Sequence, residues 1–237
     1  MVREKLFVIA LLLLVALGAR AQSEPEYRME VGAGAGTAAY LGDLNGNPLK
    51  GMQPMGALVA RYKLNPRMAW ALNLGLGQLK GSSKAQDSWM PDVAGQPVDF
   101  KTTLGDVQVR FEYNFWPYGT GREYHGARPL TPFIAWGLGF TIASAKVTQV
   151  QADQRKESSF AGQMPIGIGV KYKVANRVNL TAEWMMHFSG SDLLDGMKDP
   201  YGIRSQGLFK NTDCYSTLQV SLTYDFWERC RTCHNYL

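Results

Sequence analysis

After Gln22 no stretch reaches the roughly 18 consecutive apolar residues that mark a helix able to cross a bilayer, so a helical membrane span is excluded from the body of the chain. Basic residues are scattered rather than clustered, and the formal net charge is only +5, which leaves no nucleic-acid footprint. Cysteine is scarce: Cys214, Cys230 and Cys233 are the three in 237 residues, too few for a disulfide framework. What is present is the composition of a folded protein, with 46 % apolar and 19 % charged residues, and a length that suits one good-sized domain or two small ones.

The first segment carries Arg3 and Lys5, then the apolar run Leu6 to Leu17, then Ala19-Arg20-Ala21. That order is a secretory signal with cleavage expected after Ala21, because the run is too short to span. No Cys follows the cleavage site, so a lipoprotein anchor is not expected. With Arg3, Lys5, Arg20 and Glu4 in the leader, the mature chain has a net charge of +3. An exported chain without a helical span is soluble, peripheral or a barrel.

A period of two separates these. Eight segments alternate, each with one face free of charge: 27–40, 56–64, 70–77, 106–115, 134–142, 166–173, 179–187 and 217–226. The fourth is the clearest, with Val107, Val109, Phe111, Tyr113 and Phe115 interleaved with Asp106, Gln108, Arg110, Glu112 and Asn114. Soluble sandwiches and lipocalin-like barrels also alternate. The discriminating feature is the polar face, which mixes glycines with Lys63, Lys173, Asp225 and the residues expected to form a lumen charge network: Arg28, Glu30, Arg61, Asp106, Arg110, Glu112, Lys171 and Glu183. In a narrow barrel, glycines on one strand make room for long charged side chains from another. Aromatics gather near the short turns at Tyr62, Trp70, Phe115, Tyr172, Tyr224 and Phe226, as in an aromatic girdle.

The expected fold is therefore all-β: an eight-stranded antiparallel up-and-down transmembrane β-barrel. Residues 1–21 are the signal peptide, 22–228 the outer-membrane barrel and 229–237 a periplasmic C-terminal tail. Tight turns are expected at Asn65-Pro66-Arg67 and Ala175-Asn176-Arg177, and long outer loops at 41–54, 82–99, 148–163 and 189–213. Both termini are then periplasmic, the barrel being integral to the cell outer membrane.

Along nearly the whole mature chain the sequence resembles the PorG-like outer-membrane barrels of Bacteroidota. The segments that carry the resemblance include Ala39-Tyr40-Leu41-Gly42-Asp43-Leu44-Asn45, Leu64-Asn65-Pro66-Arg67 and Phe111-Glu112-Tyr113-Asn114-Phe115-Trp116-Pro117-Tyr118. Further on stand Pro165-Ile166-Gly167-Ile168-Gly169-Val170-Lys171-Tyr172, Glu183-Trp184 and Ser191-Asp192-Leu193-Leu194-Asp195. The resemblance implies a non-enzymatic part of the type IX secretion machinery, held against periplasmic subunits that include a ring lipoprotein. The Cys-bearing tail and the length of the last outer loop depart from the family pattern.

Three constellations have bland and sharp readings. Cys230-Arg231-Thr232-Cys233-His234 fits c-type haem attachment, but it ends a short tail with no domain to bury a porphyrin. Local pairing or free thiols is expected, and no cofactor. Cys214 precedes Phe226 by a strand's length, roughly 40 Å at ~3.3 Å per residue, and so cannot pair with the tail. His187 and Ser189, with Asp192, could suggest a hydrolase, but a shared strand face does not by itself bring residues two apart into contact, and a polar residue at a lumen mouth is the expected reading. Finally, Arg122, Tyr124, His125 and Arg128 in the connection after Trp116, with Arg229 and Arg231 of the tail, could form a basic docking surface; a solvated loop is the alternative. A secretion anchor, a stand-alone structural or adhesive barrel, and an outer-membrane lipid hydrolase remain the three functional classes.

Overall fold

The structure, a computed structural model, describes residues 27–42, 47, 49–82, 98–119, 127–149, 152–191, 194 and 213–228. The leader, the Cys230/Cys233 tail, and Arg122, Tyr124, His125, Arg229 and Arg231 lie outside them. Eight strands are present: β1 (Tyr27–Leu41), β2 (Gln53–Asn65), β3 (Met68–Ser82), β4 (Val98–Asn114), β5 (Leu130–Gln149), β6 (Ala152–Ala175), β7 (Val178–Ser189) and β8 (Cys214–Glu228). Each pairs antiparallel with its neighbours in sequence, and β1 pairs with β8 to close the barrel.

The side-chain rule is that of a protein turned inside out. Leu76, Leu138 and Ile142 point outward at 73 %, 72 % and 60 % exposure, whereas Arg61, Glu112 and Asp225 point inward and are at most 1 % exposed. A continuous outward belt of this kind suits lipid, not water. The aromatic set at the turn end is outward as expected, with Tyr62 directly opposite Trp70. Trp70, Phe111 and Trp136 continue it across three strands at ring spacings of 5.3 and 5.0 Å.

Both tight turns form, and each follows the same irregularity, a bulge between Lys63 and Asn65 and between Lys173 and Ala175. The expected loop at 148–163 does not: β5 runs to Gln149 and β6 begins at Ala152, so most of that stretch is hairpin. The reason lies in the medium. Beyond Ile142 the apolar residues Ala143, Ala145 and Val147 turn inward while Ser144 and Lys146 face out, and β4 does the same with Phe100 and Leu104 against Lys101 and Thr103. Past the lipid the outside meets water, and the alternation continues in antiphase.

The inward glycines act mainly through close backbone approach. A Cβ on Gly137 would meet the Val109 carbonyl oxygen at 2.1 Å, a fixed neighbour that cannot give way, whereas around the outward Gly162 nothing lies within 4 Å. Gly137→Ala should therefore destabilise the barrel by ~1–3 kcal/mol through overpacking, while Gly162→Ala should stay within ~0.5 kcal/mol of wild type. Denaturant unfolding of vesicle-inserted protein measures both.

Candidate functional site

The lumen is layered. Towards the end that holds the tight turns, four cations meet four anions. Arg61 donates from Nη1 to Glu30 at 2.7 Å and from Nε to Glu112 at 3.1 Å. Arg110 makes a two-pronged contact with Glu183 at 2.9 and 3.2 Å. Lys171 Nζ donates to Glu112 at 2.6 Å and to Asn114 at 3.1 Å. Lys63 bridges Asp225 at 2.5 Å and Glu30 at 3.3 Å. Thr223 and Asn179 supply further donors to Glu30 and Asp225. Buried charge persists only when paired and hydrogen-bonded in this way.

The local sequence makes the room. Ala71 on β3 is the register partner of both Arg61 and Arg110, and Glu112 stands between Ala69 and Ala135. Small inward residues on β3 and β5 thus let the long side chains of β2 and β4 reach across. Gly137 beside Arg110 and Gly169 beside Glu183 make the same room, as expected of the glycines.

Six of the expected network residues are brought together: Glu30, Arg61, Arg110, Glu112, Lys171 and Glu183. Lys63 and Asp225 complete the set. Asp106 is lumenal but belongs to a separate polar layer, accepting from Gln108 at 3.1 Å and from Tyr215 at 3.4 Å. Arg28 is the exception. Tyr27 is buried at the start of β1, and Arg28 donates instead to the outward Tyr62 hydroxyl at 3.2 Å, at an exposed position. The strand end bends away from strict alternation, so parity fails at its first residues.

His187 sits in the middle layer, stacked on Tyr215 at 4.2 Å. Its ring nitrogens engage Gln163 at 3.1 Å and Thr217 at 2.9 Å. Ser189 is buried, and its Oγ accepts from the Ser191 amide at 3.2 Å. The His187 ring is thus committed to partners other than Ser189. Asp192 lies outside the described residues. Above, Tyr40, Leu79, Phe100, Leu104, Val147 and Leu194 form an apolar cap, closed by Tyr40 donating to Asp213 and by Asp213 accepting from the Leu194 amide at 2.9 Å.

Sequence reasoning missed Tyr118. It follows β4, is 3 % exposed, donates to Asn179 Oδ1 at 2.8 Å, and its amide donates to the Pro66 carbonyl at 3.0 Å, so it closes the lower mouth. Burial, reinforced by the Glu30 and Asp225 carboxylates, holds its hydroxyl protonated well above the ordinary tyrosine range. An aromatic in a Trp-Pro-Tyr connection was the available signal. Nearby, Arg128 is exposed and lies over Trp116, 4.9 Å from the ring centroid, with its amide on the Pro117 carbonyl. Cys214 stands half-buried at the start of β8. Among the described residues, no group of His, Cys, Asp and Glu could hold a metal.

A family model described as "Domain of unknown function (DUF6089)" matches residues 4–235. No curated protein matches the chain. Among solved structures, the crystal structure of Neisserial surface protein A is 16 % identical with a TM-score of 0.51, covering 84 % of this chain and 97 % of that one. The N-terminal β-barrel domain of Pseudomonas aeruginosa OprF is 13 % identical with a TM-score of 0.46, covering 83 % and 97 %. Ail, the attachment invasion locus protein of Yersinia pestis, solved with the heparin analogue sucrose octasulfate, is 12 % identical with a TM-score of 0.47, covering 86 % and 100 %. At such identities the likeness to the Neisserial protein is one of fold: an eight-stranded outer-membrane barrel.

Proposed function

The chain belongs to the DUF6089 family, and we propose that it serves as a non-enzymatic outer-membrane barrel of the type IX secretion machinery that anchors a periplasmic lipoprotein ring. Both termini and the tight-turn end face the periplasm in this reading, after removal of a signal peptide. The observation that carries it is the construction of that end. The connection from β4 to β5 is pinned on both sides, by Tyr118 on Pro66 and Asn179, and by Arg128 on Pro117 and Trp116, with the Lys173 amide on the Pro129 carbonyl. The described residues on either side of the segment bearing Arg122, Tyr124 and His125 are therefore held at the end of the barrel where β8 also finishes, before Arg229 and Arg231 in sequence. Tyr and Arg concentrate binding energy at interfaces. The lumen supports the same reading, since His187, the only histidine among the described residues, is held by Gln163 and Thr217 in a packed interior.

Replacing Arg122, Tyr124 and Arg128 together by Ala should leave the barrel folded, shown by its heat-dependent gel mobility, yet lower capture of the ring lipoprotein and cargo secretion at least about tenfold, as expected of hot-spot residues. Ser189→Ala should leave both unchanged. Normal capture and secretion by the triple variant, with loss of function in Ser189→Ala, would replace the anchor by a hydrolase.

A further inference from the structure

On the outward face of β3 to β6, three rows of residues stand in register one above another. The lowest is Leu76, Gly105, Ile142 and Phe160, each directly opposite the next. Gly105 has no side chain, so this row floors an open groove of about 800 Å³ flanked by Leu58, Val107 and Phe140, within the ~300–1,000 Å³ typical of small-molecule sites. Two residues further out runs Gln78, Thr103, Ser144 and Ser158, again in register, every member polar and uncharged. Two residues beyond that runs Lys80, Lys101, Lys146 and Lys156. Lys80, Lys101 and Lys146 are exposed.

Like charges directly opposite on a sheet repel and cost stability, so a row of them implies an anion that offsets the repulsion. Among the described residues none of Lys80, Lys101 and Lys146 forms an ion pair. Asp99 stands one row further out on β4 and is joined to none of them. The order from groove to lysines, apolar then hydroxyl and amide then cationic, covers ~13 Å at ~3.3 Å per residue. That is the order of chain, linker and phosphate in a phospholipid or phosphoglycolipid lying along the barrel, at the height where the outward surface changes from apolar to polar.

We propose that the outward face of β3 to β6 binds one phosphorylated lipid of the surrounding leaflet, with an acyl chain in the Gly105 groove, its linkage on Thr103 and Ser144, and its phosphate on Lys80, Lys101 and Lys146. The assignment rests on the membrane-spanning reading of the barrel. Vesicle flotation tests that reading separately: wild-type protein that floats with vesicles but selects no lipid refutes the site alone.

The experiment is native mass spectrometry of the mature chain released from phosphatidylcholine nanodiscs doped with phosphorylated lipid A, or with the same lipid stripped of phosphate. Wild type should retain one lipid A per barrel. Replacing Lys80, Lys101 and Lys146 together by Gln should lower that fraction at least about tenfold. Gly105→Phe, whose ring fills the groove while facing lipid, should lower it comparably. The phosphate-free lipid should be retained as poorly by wild type as lipid A is by the lysine variant. Equal retention of the phosphate-free lipid would reduce the face to ordinary annular contact. Displacement of lipid A by a chain-free phosphorylated sugar would make it a soluble-polyanion site, and a dimer that excludes lipid would make it a self-interface. Each of these overturns the proposal.

Discussion

Arg61→Met is expected to cost ~3–5 kcal/mol of folding free energy, because it removes one partner of a buried ion network and leaves carboxylates uncompensated. Arg61 is 1 % exposed and contacts Glu30 and Glu112 within 3.1 Å, with Glu183 at 3.9 Å. Lys171 and Lys63 remain to hold Glu112 and Glu30, but four cations against four anions become three against four in a space closed to water. Adding Glu112→Gln restores the balance and should recover a substantial part of the loss, because a neutral amide no longer demands a counter-charge. The surface pair Arg177–Glu228, 3.6 Å apart with both side chains largely exposed, should behave differently. Arg177→Met should cost far less than Arg61→Met, since solvent screens such pairs and the hydrogen bond to Tyr27 at 2.8 Å is the main contact it loses. Equilibrium unfolding in urea from vesicles, followed by tryptophan emission, reads all three. An Arg61→Met barrel as stable as wild type would mean that the lumen is hydrated rather than packed.

Val109→Arg and Val220→Arg should each destabilise the inserted barrel by ~2–4 kcal/mol, the cost of a cation on the lipid face near mid-bilayer. Both valines face outward at nearly half exposure. One residue away the expected effect differs. Gln108 points inward and its amide already donates to Asp106 at 3.1 Å, so an arginine there finds a carboxylate and should cost less than either outward substitution. A barrel that met water on its outside would reverse the order, accepting Arg at 109 and 220 freely and rejecting it at 108.

That one-residue contrast was legible in the sequence, because alternation assigns each residue to a face without any knowledge of strand order. Val109 and Gln108 fell on their observed sides, as did Glu30, Arg61 and Glu183. Which charge meets which was not legible. Arg61 and Glu112 are 51 residues apart and Lys63 and Asp225 162 apart, so their pairing depends on how side chains meet across the lumen. The far half of β5 and β6 was missed because a rule of apolar outward and polar inward halts at Ile142, where the outside becomes aqueous and the same alternation inverts. Arg28 was misassigned because strand ends leave the ladder. Tyr118 went unseen because a connection enclosing a barrel mouth has no periodicity; its burial follows from Pro66 and Asn179, distant in sequence.

The proposed anchor role puts the work of this protein at its ends and on its outer face, and electrical measurement tests the closed interior most directly. Eight strands leave an interior just filled by side chains, and here Arg61, Arg110, Glu30 and Glu112 are each at most 1 % exposed between the Tyr118 closure and the Leu194 cap. Purified protein inserted into planar bilayers in concentrated potassium chloride should therefore show no steady conductance above the bare membrane. Stable, voltage-independent channels would contradict the paired and packed lumen, and with it the account of a sealed barrel that acts through what it holds.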